Sequence, residues 1–289
     1  MSILTAIFQA ILQALSFILP TSESGHLALF NGFTGREQNT CSTLSGAIHI
    51  GLAIGIFIAM LKPFISLFKQ TAFTCIEIAK NRQALKNPTP PRKFNYMVLI
   101  ALLPLFIWLI PVGEKGNIYN LLSSLNYDST VLSEGLFFIL TGALVFATYM
   151  VNSKNIGKDK QSNISLVPAI IFGVITLFAI PVAGLSYIVL AMFLLSLFNI
   201  KTSISLRFTF CFAVPVLLGL GVSDMLASAN SQNIASIIIG IILSAVISFF
   251  AVKFCKHFYN KNKLEPFALY NVAIGLISTV IGIVQLIIK

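Results

Sequence analysis

Apolar and polar positions divide this chain into long unbroken runs and two interrupted ones. Residues 45–61, 96–112, 135–151, 208–222, 234–252 and 267–288 are almost continuously apolar. A helix needs about 20 such residues to cross a bilayer, so each run predicts a spanning helix. Residues 3–33 differ: a long apolar piece meets the interruption Pro20-Thr21-Ser22-Glu23-Ser24-Gly25-His26, and a short apolar piece follows. Residues 166–199 repeat the pattern, with Pro181-Val182-Ala183-Gly184 between two apolar pieces. Broken or polar backbone at membrane depth is tolerated only inside protein or beside a water-filled cavity. Both regions therefore predict broken or re-entrant helix pairs. Residues 64–78, partly apolar and lysine-bearing, predict a helix lying in the membrane interface.

Composition fixes the class. Of 289 residues, 57% are hydrophobic and only 10% charged, and the mean hydropathy is +0.92. Soluble domains carry roughly 25% charged residues, so the chain is an all-α integral membrane protein. The first apolar run has no preceding Lys or Arg and no small-residue cleavage site, which predicts a retained segment rather than a leader. Cys41, Cys75, Cys211 and Cys255 have no paired or metal-like spacing, and three of them read as small apolar residues.

The net charge of +10 does not point to nucleic acid, because the basic residues cluster between apolar runs. Loops 62–93, 152–165, 199–207 and 253–265 hold nearly all the Lys and Arg, whereas 34–44, 113–134 and 223–233 hold Glu37, Glu114, Asp128, Glu134 and Asp224. The basic loops are expected in the cytoplasm and the acidic ones outside, with Asp128 and Glu134 solvated. This is self-consistent only if each broken pair enters and leaves on one side. The chain then reads as an inverted repeat of two five-element halves, 1–152 and 153–289. Each half is a broken pair followed by three spans. Inverted repeats with broken helices place the site where the breaks meet.

The first break concentrates the chemistry. Pro20 ends a helix, and Ser22, Glu23 or Ser24 can cap the next one. Backbone N–H groups at such a terminus attract anions, phosphate included. His26 can act as acid, base or nucleophile, and the serine hydroxyls can position or attack a phosphoryl group. Glu23 can bind a divalent cation or orient His26. Against these stands the plainer reading that the serines only cap and His26 only bonds a neighbouring helix.

Gln13-Ala14-Leu15-Ser16-Phe17-Ile18-Leu19-Pro20-Thr21-Ser22-Glu23-Ser24-Gly25-His26-Leu27 resembles the first signature of the bacterial undecaprenyl-diphosphatases, the bacitracin-resistance family. Ile48-His49-Ile50-Gly51, Arg207-Phe208-Thr209-Phe210 and Val214-Pro215-Val216-Leu217-Leu218-Gly219 extend the likeness over nearly the whole chain. The resemblance implies hydrolysis of undecaprenyl diphosphate to undecaprenyl phosphate, recycling the lipid carrier for peptidoglycan synthesis. It implies a multi-pass protein of the inner (plasma) membrane whose site opens to the periplasmic or outer face. It also implies a divalent cation, Mg²⁺ or Ca²⁺. The expected partners are a polyprenyl phosphate or diphosphate lipid and the bilayer, with a homodimer left open.

Several signature positions differ here. The family's two glutamates in the first helix fall on Gln13 and Phe17. The second serine of its Ser-Ser pair falls on Glu23, and its glutamate in the third element falls on Ser45. The second break, Pro181-Val182-Ala183-Gly184-Leu185-Ser186-Tyr187, lacks the arginine of the second signature. Glu23 is the only carboxylate at either break. His26, Ser22 and Glu23 are thus the expected catalytic residues, with Glu23 also a metal ligand. Ser24, Gly25, Gln13, Ser186 and Tyr187 are the expected substrate contacts. His49 is expected to pack or to hydrogen-bond rather than to line a site. A carrier of polyprenyl phosphate without hydrolysis is the alternative function.

Overall fold

The computed structural model describes residues 3–34, 43–80, 88–113, 116–124, 130–155, 157, 159–227 and 233–288. Cys41, Asp128 and Glu114 lie outside them. The described chain is helical, with only isolated bridges, Pro111 to Asn117 and Gln161 to Ile200, in place of strands.

The first interrupted region forms α1 (Ile3–Ile18) and α2 (Glu23–Phe33). At about 1.5 Å per residue, neither reaches across a bilayer core of about 30 Å. Pro20 stops α1, and Ser22 takes extended backbone as the N-cap of α2, its hydroxyl accepting from Gly25 N. The second region forms α8 (Leu166–Ala179) and α9 (Tyr187–Leu197), with Ser186 capping α9 through Val189 N. Gly184 between them has φ +90°, a left-handed conformation that glycine adopts without steric cost.

Spanning helices follow each pair. After α1–α2 come α3 (Thr43–Ala59), which reaches spanning length only together with the bent helix after it, and two helices long and apolar enough to cross a membrane, α5 (Pro90–Leu102, with its 3₁₀ extension) and α7 (Leu132–Lys154). A 3₁₀ stretch, Leu103–Leu109, extends α5; its second residue is Pro104, which cannot donate to an α-helical ladder. After α8–α9 come α10 (Thr202–Ala227), α11 (Ile234–Asn260) and α12 (Glu265–Ile288). Two further helices lie between spans. α4 (Leu61–Lys80) leaves α3 at an angle of 88°, and α6 (Ile118–Ser124) is short. Ile65, Phe68, Phe73 and Ile76 of α4 are exposed. Arg92 Nη1 on Glu77 Oε2 (2.7 Å) and Asn95 Nδ2 on Leu67 O (2.9 Å) fasten α4 to α5.

α3 packs on α10 and α11, α7 on α12, α1 on α11, and α5 on α8. Lipid offers no hydrophobic drive between helices, so close backbone approach through small residues holds such bundles together. Gly51 and Gly55 of α3 lie against Ser244, Ser248 and the Ile241 and Ala245 carbonyls of α11. Gly135 and Gly142 of α7 lie against Gly275 and Ala268 of α12 in the same way.

Candidate active site

The two breaks touch. Gly184 N donates to Ser24 Oγ at 3.3 Å. A Cβ added to Gly25 would stand 2.9 Å from Gly184 Cα and closer still to the Phe138 ring. α7 clamps the junction: Thr141 Oγ1 donates to Gly184 O (3.0 Å) and accepts from Ser186 N (3.3 Å). Asn271 of α12 donates to Pro20 O at 2.8 Å. Each chain reversal thus has its loose backbone groups bonded to a spanning helix, as burial requires.

Beside the junction is a cavity of about 100 Å³, enough for a small cluster of water-sized groups and hence for a phosphate. The first turns of α2 and α9 both border it, through Glu23 and Ser24 on one side and Ser186 and Tyr187 on the other. Phe17, Leu185 and Leu220 add apolar wall, and Tyr119 and Ser123 of α6 line it as well. Phe17, where the resemblance puts a glutamate, packs edge-on to Tyr187 at 5.7 Å. The Tyr187 hydroxyl is buried without a hydrogen-bond partner among the described residues.

Three expectations are corrected here. Glu134 is not solvated; it is 1% exposed and borders the cavity from α7. Asp224 does not sit in a loop. α10 runs on past residue 222 to Ala227, and Asp224 is 6% exposed on the cavity wall. Glu23 is therefore one of three carboxylates at the junction. His49 lines the cavity too: its Nε2 lies 3.4 Å from Glu23 Oε1 and its Nδ1 3.2 Å from Asp224 Oδ2. The second contact has ion-pair distance but is poorly aligned for a hydrogen bond.

A line of amides supports Glu23 from behind. Gln13 Nε2 donates to Glu23 Oε1. Gln9 Nε2 donates to Gln13 Oε1 (3.3 Å) and to Ser45 Oγ (3.1 Å). The positions where the resemblance puts glutamates, Gln13 and Ser45, thus remain joined as neutral partners in one hydrogen-bonded line.

Ser22 and His26 are used differently. Ser22 is buried as the α2 cap, with its hydroxyl 3.4 Å from Ser24 Oγ. His26 Nδ1 contacts Ser22 O, and Nε2 lies 2.7 Å from Tyr270 OH. Its ring stacks on Tyr270 and meets Phe138 edge-on. His26 borders a separate, more open cavity of about 440 Å³ between α1 and α12, with Phe8, Ile11, Leu15, Phe267 and Tyr270. The structure brings Glu23, Ser24, Ser186 and Tyr187 together at the first cavity, with Gln13 behind Glu23 and Gly25 at the point of closest approach. It does not bring Ser22 or His26 to that wall. His49, Asp224 and Glu134 were the residues missed. The available signal was their cost, since ionisable side chains in or beside apolar runs are rarely without a function.

Among the described residues, no Lys or Arg borders the cavity. Two helix N-termini, each equivalent to roughly half a positive charge, and the His49 imidazole face it. Fold and site together define a multi-pass membrane protein with a polar, anion-suited chamber where two broken helices meet. The chain belongs to the bacitracin resistance protein BacA family, whose sequence model matches residues 6–277. It is 25% identical over 289 residues to an undecaprenyl-diphosphatase of Methanosphaera stadtmanae, covering 98% of this chain and 99% of the relative. It is 27% identical over 284 residues to that of Acholeplasma laidlawii, with 96% of each chain covered. It is also 27% identical over 277 residues to that of Desulfatibacillum aliphaticivorans, covering 94% and 96%.

Proposed function

We propose that this protein hydrolyses undecaprenyl diphosphate to undecaprenyl phosphate and so returns the carrier for cell-wall synthesis. The observation that carries this reading is the junction of two helix N-termini on one small polar cavity, in a chain of this family. Each first turn offers backbone N–H groups to phosphate oxygens. Tyr187 adds a buried hydroxyl with no other partner among the described residues. Glu23 orients a water against the terminal phosphorus. The new P–O bond forms as the bridging P–O bond breaks, the electron pair leaves on undecaprenyl phosphate, and the water's proton passes to Glu23. Phosphoryl transfer needs positioning and charge stabilisation more than a strong base, which suits a carboxylate held by Gln13 and His49. Ser22 and His26 fix the first turn of α2 in this scheme.

A divalent cation belongs to the same proposal. A diphosphate beside three carboxylates needs more positive charge than two helix ends supply. Carboxylates and hydroxyls are the hard donors that Mg²⁺ and Ca²⁺ take, and Glu23, Asp224 and Glu134 are the residues that would hold the ion. Among the described residues, no three His, Cys, Asp or Glu are grouped tightly enough to do so alone. Phosphate oxygens of the substrate would complete the ligand set, and the ion would supply charge neutralisation.

We further infer that residues 1–152 and 153–289 form an inverted repeat about the cavity, which opens to the outer face of the plasma membrane. Support comes from the pairings: α3 meets its counterpart α10, α7 meets α12, and α1 meets α11 as α8 meets α5.

The test is phosphate release from undecaprenyl diphosphate by purified protein in detergent, with Mg²⁺, with Ca²⁺ and with chelator. Release with either ion is expected, with Glu23→Gln slowing kcat by about 10²–10³-fold. Stabilisation by undecaprenyl phosphate with no release, while an undecaprenyl-diphosphatase relative turns over alongside, would replace the hydrolase with a carrier-binding protein.

A further inference from the structure

One wall of the polar cavity comes from a connection between spans. Tyr119 and Ser123 line it from α6, a seven-residue helix between α5 and α7. Among the described residues, every other lining residue belongs to a span or to one of the two broken pairs. Tyr119 and Ser123 are four residues apart and so share a face of α6, and Ser123 Oγ donates to Tyr119 O at 2.9 Å.

This short helix is tied down. The chain turns back before it, with Val112 N on Gly116 O (2.8 Å) and Ile118 N on Ile110 O (3.1 Å). Trp108, the only tryptophan of the sequence, meets the Tyr119 ring edge-on at 5.1 Å and donates from Nε1 to Leu177 O at 3.1 Å. Leu177 lies in the last turn of α8. In a continuing helix its carbonyl would accept from residue 181, but residue 181 is Pro and has no N–H. The Trp108 indole supplies that donor, and so fixes Tyr119 to the helix that leads into the second break. A plainer reading makes Trp108 a headgroup anchor of the kind common at membrane interfaces. Such a ring keeps its polar edge among headgroups, whereas Trp108 is 8% exposed with its N–H engaged by a helix carbonyl.

The space that α6 bounds is small. At about 30 Å³ per water-sized group, about 100 Å³ holds roughly three or four such groups, which suits the oxygens of one phosphate. A sugar joined to that phosphate more than doubles the atoms to be housed. We propose that α6 sets the substrate selectivity of this site: Tyr119 and Ser123 wall the space for the terminal phosphate, so that a polyprenyl diphosphate with a free terminal phosphate enters and one whose terminal phosphate carries a sugar does not. The inference rests on the phosphatase reading. Bond chemistry alone does not separate the two substrates. Water attacking the terminal phosphorus breaks the same bridging P–O bond in either, and the electron pair leaves on undecaprenyl phosphate, with phosphate released from one and sugar phosphate from the other. Discrimination between them therefore needs a clash built against the larger group, and the Tyr119 ring, braced by Trp108, provides it.

The experiment compares kcat/KM for undecaprenyl diphosphate and for undecaprenyl diphosphate carrying N-acetylglucosamine on its terminal phosphate. Both are followed by the undecaprenyl phosphate formed, for the wild type, Tyr119→Phe, Tyr119→Leu and Tyr119→Ala. The wild type is expected to prefer the free diphosphate by about 1,000-fold or more, and Tyr119→Ala to lower that preference about 100-fold by turning over the glycosylated substrate faster. Tyr119→Phe, which keeps the ring, should hold the preference within about threefold. A wild type that uses both substrates within about tenfold, a Tyr119→Ala protein with the wild-type preference, or a Tyr119→Phe protein that loses as much as Tyr119→Ala overturns the proposal. So does a lower preference that comes only from slower hydrolysis of the free diphosphate. If Tyr119→Ala does not purify as folded protein, Tyr119→Leu decides: a fall of about tenfold in preference supports the proposal, and an unchanged preference overturns it. If the wild type forms no undecaprenyl phosphate from either substrate, the phosphatase reading fails separately, and selectivity is read from thermal stabilisation by the same two lipids. A wild type stabilised by the free diphosphate alone, with Tyr119→Ala stabilised by both, supports the wall. Equal stabilisation of the wild type by both, or no gain with the glycosylated lipid in Tyr119→Ala, overturns it.

Discussion

His26 and Glu23 sit three residues apart on α2, yet the structure gives them different surroundings. Glu23 faces the cavity with His49, while His26 bonds Ser22 O and Tyr270 OH beside the α1–α12 opening. On a helix, residues three apart are neighbours in angle, so spacing alone gives no means of separating their roles. The surrounding helices separate them, because α12 presents Tyr270 to one and α3 presents His49 to the other. Replacing His26 with Ala removes two hydrogen bonds and leaves the Ser22 carbonyl with less to satisfy it, a cost of about 1–3 kcal/mol. The expected result is a melting temperature lowered by several degrees with kcat within about threefold of wild type. A kcat lowered about 100-fold at an unchanged melting temperature would make His26 catalytic and move the reaction out of the Glu23 cavity.

The elements that meet at the cavity depend on one tight crossing. Gly25 and Gly184 let the two breaks approach, and α7 holds both through Phe138 and Thr141. Both breaks were legible in the sequence, since Pro20, Pro181 and Gly184 interrupt apolar runs that otherwise would continue. Their contact was not legible, because it depends on α7, far from either break in the chain. The reach of α10 was misread for a related reason. Beyond residue 222 come Ser223 and Asp224, which look like the start of a loop unless the His49 that Asp224 meets is known. Gly184 tests the crossing. Its φ of +90° disfavours any side chain, and a Cβ there would approach Glu134 O to 2.8 Å. Gly184→Ala is expected to cost about 1–2 kcal/mol from the backbone alone and more from displacing α7, read as a lower melting temperature together with weaker stabilisation by undecaprenyl phosphate. If both values match wild type, the breaks do not need their close approach.

Across the whole molecule, the spans and the class of the protein were readable because they follow from length and hydropathy, which are properties of single segments. The composition of the cavity was not, because Glu23, His49, Glu134 and Asp224 belong to four helices and share no local motif. Orientation lies between these cases, since it is written in loop charge but expressed only against a membrane. The basic end of α11 and the connection after it, with Lys256, Lys261 and Lys263, are expected in the cytoplasm. The α6 segment carries Tyr119 and Ser123 on the cavity wall and follows α5 at the opposite end of that span from α4. If α4 lies on the cytoplasmic side with its lysines, α6 and the cavity mouth lie outside. In a background without native cysteines, Ser123→Cys should then react with a membrane-impermeant maleimide on intact cells, and Lys261→Cys only after lysis. The reverse labelling would turn the protein over. The cavity would then meet carrier lipid in the cytoplasmic leaflet, and a role in recycling lipid released at the outer surface would no longer fit.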